Sequence, residues 1–132
     1  MAKFHATGSH LYRITLHRFH NACIKRSPEK QNMTPRQRER LEKIIANIRR
    51  ALAAEKRKFG GYDDSRGLRY RPVKYYIRLQ DYKGGLTYLR WFSRNFPDDA
   101  GFPDFLFECT IILFKCGKIK EAERKAFETF RA

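Results

Sequence analysis

The 132-residue sequence lacks long hydrophobic runs, has only three cysteines, and carries no acidic residue in positions 1–28. No run approaches the ~18 uncharged apolar residues that a membrane span needs, so we expect a chain that does not insert into a membrane. Three cysteines at irregular spacing favour a reducing compartment over a disulfide framework. These absences predict a cytoplasmic protein.

The composition that remains is strongly basic and contains enough apolar residues for a core. Lys and Arg number 29 and Asp and Glu 14, which gives a formal net charge of +15. Hydrophobic residues make up 42% and aromatic residues 14%, which excludes wholesale disorder. The length fits one domain, because domains usually hold ~100–200 residues. Residues 1–58 have a net charge of +11 and residues 59–132 of +4, which indicates a polyanionic contact at the front of the chain.

The patterning divides the chain into four segments. Residues 1–33 predict a basic, poorly ordered extension, although an acid-free start with several arginines also resembles an organellar presequence. Residues 34–59 predict one long amphipathic basic helix, and residues 60–71 a glycine-rich linker in which Asp63 and Asp64 can pair with Arg66 and Arg69. Residues 72–132 predict helix pairs. The fold class is therefore predicted to be all-α.

The long helix has clear start and stop signals. Thr34 can cap free backbone N–H groups, Pro35 suits the first helical position, and Gln37 can complete a capping box. Gly60 is a good left-handed cap at the other end. Apolar residues recur at helical spacing between these signals, at Leu41, Ile44, Ile45, Ile48 and Leu52. We expect this stripe to pack onto the first helix pair.

The opposite face of the long helix is basic. Its candidate nucleic-acid contacts are Arg36, Arg40, Lys43, Arg49, Arg50, Lys56, Arg57 and Lys58. Such a face can neutralise phosphates of RNA or DNA, which predicts a nucleic-acid- or ribosome-associated protein as one function. The alternative is a solvated face that keeps the protein soluble. No aromatic residue interleaves with these charges, so the sequence gives no sign of a base-stacking surface.

The back half contains four helical segments separated by short turns. Residues 80–82 and 116–118 predict tight turns, and Pro97 and Pro103 bound a longer loop. The segment from Phe105 to Phe114 is apolar on nearly every side, so it predicts a helix buried between its neighbours.

The residues that define these helix faces resemble the tetratricopeptide repeat, whose period is ~34 residues. Tyr76, Gly85 and Leu89 fall at matching positions in a first unit, and Ala122 and Ala126 in a second. Small residues at Gly85 and Ala122 would let paired helices approach closely. The resemblance covers about residues 70–132 and implies a short α-solenoid that binds other polypeptides. The family's Trp and Leu-Gly positions do not match.

Two repeat units are fewer than the ~3 that normally bury a continuous core. The missing layer is expected from the long helix at one end and from another subunit or partner at the other. The candidate protein-binding residues are Tyr88, Trp91, Arg78, Arg90, Arg94, Phe127 and Phe130, since Tyr, Trp and Arg dominate interface hot spots. Equally, Tyr88 and Trp91 could contact the basic helix instead.

The sequence offers no constellation for catalysis. His17, His20 and Cys23 have helical spacing, but a structural zinc site needs a fourth ligand, so we expect no metal. Cys109 and Cys116 lie on or beside an apolar helix and predict buried thiols rather than nucleophiles. We therefore expect a non-enzymatic interaction module without cofactor or small-molecule substrate. Its partner would be another polypeptide or a second copy of the chain.

Overall fold

The computed structural model describes residues 33–131, which form five α-helices and a single 3₁₀ turn, with no β-strand in that range. The predicted all-α class is confirmed. None of the helices in this range is both long and apolar enough to cross a membrane. The elements are α1 (Pro35–Phe59), the 3₁₀ turn (Leu68–Tyr70), α2 (Arg71–Leu79), α3 (Tyr82–Asn95), α4 (Pro103–Lys115) and α5 (Ile119–Arg131).

Helix α1 begins and ends as its sequence predicts. The Thr34 hydroxyl accepts from the Gln37 N–H at 3.2 Å, and the Gln37 side chain accepts from the Thr34 N–H at 2.9 Å. This reciprocal pair is the capping box, with Pro35 at the first helical position. Gly60 ends the helix at φ +73°, a left-handed conformation that favours glycine.

Each helix packs against the next one in the chain. Helix α1 buries Ile45, Ile48 and Leu52 and contacts α2, so it supplies the predicted layer at that end. Helix α2 pairs with α3 across the two-residue turn Gln80–Asp81. Helix α4 contacts both α2 and α3, and α5 packs against α4. The middle of the core therefore lies where α2, α3 and α4 meet.

A small residue permits this meeting of three helices. A Cβ built on Gly85 of α3 would lie 2.6 Å from Cδ1 of Ile112 in α4 and 3.2 Å from Cβ of Tyr76 in α2. Ile112 is fully buried and Tyr76 nearly so. Any side chain at position 85 would therefore push against two helices at once.

The segment between α1 and α2 is fixed by a buried carboxylate. Asp64 is 4% exposed and accepts hydrogen bonds from the backbone N–H groups of Leu68 and Arg69 at 2.7 and 3.0 Å. Its carboxylate also pairs with the Arg69 guanidinium at 2.9 Å, which is one of the predicted pairings. Arg69 reaches Asp99 in the α3–α4 loop at 2.7 Å, so one cation ties two connecting segments together.

Helix α4 is less buried than its composition predicts. Phe105, Leu106 and Cys109 lie in the core, but Phe107 is 59% exposed and Phe114 50% exposed. The prediction of a helix buried on all sides was wrong for this face. The physical reason is that α2, α3 and α5 cover only part of its circumference, and no described element covers the rest.

Candidate interaction surfaces

The exposed face of α4 continues onto α5 as one apolar surface, called here the outer face. Phe107, Ile111 and Phe114 share a side of α4, because they are spaced by four and three residues. Ile119, Ala126 and Phe130 share a side of α5, because they are spaced by seven and four residues, and Phe127 lies at the edge of that side, three residues before Phe130. A groove of about 390 Å³ lies between the two helices; its lining residues are Thr110, Ile111, Phe114, Lys115, Ile119, Ala122, Glu123 and Ala126.

The phenylalanines at this surface are unusually accessible. Phe127 is 64% exposed and Phe130 is 91% exposed; both are candidate protein-binding residues on α5. With Phe107 and Phe114 they expose about 500 Å² of aromatic surface, taking ~200 Å² for a whole phenylalanine side chain. That is close to the upper end of the largest apolar patches on monomeric proteins, ~300–600 Å².

A second depression, called here the inner groove, lies between α3, α4 and α5 and has a volume of about 380 Å³. Apolar lining residues include Leu86, Leu89, Phe92 and Leu106. The basic residues that line it are Arg90, Arg94, Arg124 and Lys125. The structure thus brings two of the predicted protein-binding arginines, those of α3, to the same groove. Arg78 is exposed on α2 and is not part of it.

Tyr88 does not lie at any of these surfaces. It is 3% exposed, and its hydroxyl donates to the backbone carbonyl of Arg69 at 2.6 Å. Burial raises the pKa of this phenol. The prediction of Tyr88 as a contact residue was wrong, because the side chain bridges α3 to the 3₁₀ turn inside the core.

The residues predicted to hold the helix pairs together lie largely in the core. Tyr76, Gly85 and Leu89 are buried at the α2–α3–α4 junction, and Ala122 is 4% exposed. Ala126 is half-buried and lines the outer face instead.

The basic face of α1 is open to solvent, and all eight candidate nucleic-acid contacts on it are exposed. Within residues 33–131, Lys43 forms an ion pair with Glu39 at 2.8 Å, and it is the only one of the eight to form a salt bridge. Arg50 donates to the Asn47 side chain. The helix carries nine basic residues against three glutamates, so the unpaired charge is large.

The structure brings two aromatic residues beside this basic face: Trp91, for which contact with the basic helix was one of two expectations, and Tyr62, which the sequence did not single out. A groove of about 550 Å³ is lined by Arg49, Ala53, Lys56, Arg57, Tyr62 and Trp91 and is called here the basic–aromatic groove. Trp91 therefore lies beside the basic helix. This agrees with the second of its two expected positions, contact with that helix. Tyr62 comes from the segment after α1 and Trp91 from α3, so no local spacing could place them here.

The two cysteines of the described range have environments that disfavour the reactive thiolate form. Burial raises the pKa of the Cys109 thiol to about 12. Burial also raises the pKa of Cys116, whose thiol donates to the Tyr82 carbonyl at 3.2 Å. The candidate metal ligands His17, His20 and Cys23 lie outside the described residues.

Comparisons with protein-family models, with curated proteins and with solved structures give no match to this chain. The function is therefore inferred from three surfaces of different chemistry. The outer face is apolar, the inner groove combines apolar residues with charged residues of both signs, and the basic–aromatic groove combines basic side chains with aromatic rings.

Proposed function

We propose that the protein is a non-enzymatic helical interaction module, similar to a tetratricopeptide repeat, that pairs with a second copy of itself through the outer face. The observation that carries this proposal is the accessibility of Phe107, Phe114, Phe127 and Phe130 on one pair of helices. Apolar patches of this size are typical of protein–protein interfaces.

The packing of the helix pairs supports the comparison with stacked repeats. Helix α4 lies against both helices of the preceding pair, α2 and α3. The outer face is the corresponding surface of the second pair, α4 and α5. Terminal units of repeat proteins need a polar cap or a partner, because each unit buries its apolar face only against a neighbour.

The charge distribution favours a second copy as the partner. Helices α4 and α5 together carry five basic and five acidic residues, so two outer faces can meet without net repulsion despite the total charge of +15. The charged residues that line the groove are of opposite sign, Lys115 and Glu123. In a two-fold symmetric dimer the outer face of one copy contacts the outer face of the other. This symmetry lets Lys115 of one copy approach Glu123 of the other.

The exposed apolar area supplies most of what such pairing requires. The aromatic surface of about 500 Å² per copy is extended by the aliphatic lining of the groove. Together they make up more than half of the ~800 Å² per partner of a standard interface, and the surrounding polar residues can supply the rest.

Sedimentation equilibrium of the full-length chain tests the proposal. We expect a dimer that survives raised salt, because the contact is apolar. Phe130→Ser and Phe114→Ser should each raise the dimer dissociation constant at least ~10-fold, since each removes an exposed ring worth ~1.5–3 kcal/mol when buried. Phe59→Ser is the matched control: this ring is 64% exposed but lies at the end of α1, so the dimer should persist.

A chain that stays monomeric up to about 1 mM, where binding would be worth only ~4 kcal/mol, contradicts the proposal. Equal weakening by Phe59→Ser and Phe130→Ser also contradicts it, because self-association would then involve a different surface. Circular dichroism of each variant checks that the helices remain folded.

A further inference from the structure

We propose that the basic–aromatic groove binds single-stranded nucleic acid, with Trp91 and Tyr62 as the surfaces on which bases stack. In this arrangement Arg49, Lys56 and Arg57 contact the phosphates. The groove belongs to α1, α3 and the segment between α1 and α2, so the inference is independent of pairing through the outer face.

The aromatic rings of the groove are fixed by other rings that pack against them. The rings of Tyr62 and Trp91 meet edge to face, with centroids 5.8 Å apart and an interplanar angle of 82°. Trp91 also packs on Tyr88 at 5.2 Å and on Phe96 at 5.8 Å. Both groove rings are only half-buried. A ring that is fixed on one side and accessible on the other can stack a base at little cost in side-chain entropy.

The cations lie along one side of the same groove. Arg49 and Lys56 are seven residues apart on α1 and project in similar directions, whereas Arg57 projects about 100° from Lys56; all three are exposed and line the groove. No acidic residue is among the residues that line the groove. Within residues 33–131 none of these three cations forms a salt bridge. Their charge is therefore available to an anionic ligand.

Lys56 links the cationic and aromatic parts. Its ammonium donates to the Asn95 side chain at 3.1 Å and lies 5.3 Å from the centre of the Tyr62 ring. Asn95 Oδ1 also accepts from the Tyr62 hydroxyl at 3.3 Å. These contacts hold the ammonium over the Tyr62 ring, so a phosphate bound to Lys56 brings its base within reach of the neighbouring Trp91 ring.

The combination favours single strands over other polyanions. An acidic protein would use the cations but would not need the rings, whereas in a duplex the bases are stacked on one another and cannot reach them. The basic face also extends beyond the groove over the 25 residues of α1, about 37 Å at 1.5 Å per residue. That length can follow a backbone over several nucleotides.

Trp91 is the only tryptophan in the sequence, so its fluorescence reports directly on stacking. We expect oligouridylate to quench this fluorescence when added to the full-length protein. The fluorescence should stay largely unchanged with three control polyanions. These are an abasic oligonucleotide of the same length, a duplex of the same sequence and poly-glutamate. Equal quenching by poly-glutamate, or no quenching by any single strand, would overturn the proposal.

Anisotropy of a labelled oligouridylate measures the contributions of individual residues. Trp91→Phe should weaken binding several-fold, and Trp91→Ala about 10-fold or more, because stacking on an aromatic ring is lost. Arg57→Gln should lower the slope of log K against log salt by about 0.7, the value for one phosphate contact on a single strand. Lys120→Gln, the same charge change at an exposed position on α5, is the control and should leave the slope unchanged.

Because Trp91 packs against three other rings, circular dichroism must show that its variants stay folded. If Trp91→Ala unfolds the chain, Trp91→Phe and the base-free oligomer still test stacking. A slope lowered equally by Arg57→Gln and Lys120→Gln would show diffuse attraction and would refute the assigned groove.

Discussion

The carboxylate of Asp64 and the guanidinium of Arg69 form an ion pair at 2.9 Å in which the acid side chain is only 1% exposed. The two residues are five apart in a segment without α-helix, yet Asp64 is more completely buried than most apolar residues of the core. A carboxylate is stable at such a position only if its oxygens are fully paired. Here two backbone N–H groups and one guanidinium pair with them.

We predict that Asp64→Ala lowers the free energy of unfolding by about 2–4 kcal/mol, because it leaves two amide donors and part of the Arg69 charge without their partner. Urea denaturation followed by circular dichroism measures the change. Asp63→Ala is the matched control, since that neighbouring side chain is exposed, and it should stay within about 0.5 kcal/mol of the parent. Equal effects of the two variants would contradict a special role for Asp64.

The other carboxylate bound to Arg69 makes stability depend on pH. Burial alone would raise the pKa of Asp99, but hydrogen bonds from Tyr70, Arg69 and the Gly101 N–H outweigh it and lower the pKa below its ordinary 3.8. The unfolded chain therefore takes up this proton first as the pH falls, and the stabilisation is lost below about pH 4. We expect Asp99→Asn to be less stable than the parent at pH 7 and the difference to shrink at pH 3, as measured by thermal melts. A constant difference would contradict the assignment.

Close packing at the helix crossings predicts the effect of larger side chains. Gly85→Leu and Ala122→Leu should each cost about 1–3 kcal/mol of stability through overpacking. The effect at position 85 should be the more severe, because even a Cβ there would lie 2.6 Å from Ile112. Gly61→Leu is the control, since no atom lies within 4 Å of a Cβ at that position. A thermal melt without loss for both core variants would refute the packing described for α2–α5.

The two cysteines of the described range should differ in reactivity. Cys109 is 3% exposed and has a pKa raised to about 12, so iodoacetamide at pH 8 should leave it unmodified in the folded protein. Cys116 is half-buried and should react slowly but measurably. Peptide mass spectrometry after timed alkylation distinguishes the two. Equal labelling would show that α4 opens readily.

Local signals in the sequence were sufficient for the helices. The capping box at Thr34, the left-handed Gly60 and the apolar spacing of Ile45, Ile48 and Leu52 act within one helix, and the structure confirms each of them. The turns around Gln80 and Gly117 were likewise predictable, because they depend on a few adjacent residues.

The sequence could not predict which part of the chain packs against each helix face. The composition of α4 predicted burial on all sides, but Phe107 and Phe114 are exposed because too few helices surround it. Tyr88 was expected either at a binding surface or against the basic helix, yet its hydroxyl has a partner within the core. The meeting of Tyr62 and Trp91 beside α1 joins residues 29 apart in the chain, and no periodicity encodes such a contact.

The carboxylates of Asp64 and Asp99 make the α1–α2 and α3–α4 connections rigid. The amide protons of Leu68, Arg69 and Gly101 belong to no α-helix, but each is donated to Asp64 or Asp99. Because Arg69 is bound to both acids, neither segment can open without disturbing the other. Hydrogen–deuterium exchange at these three amides should therefore be as slow as in the middle of α2, and any hinge motion of the protein must take place elsewhere.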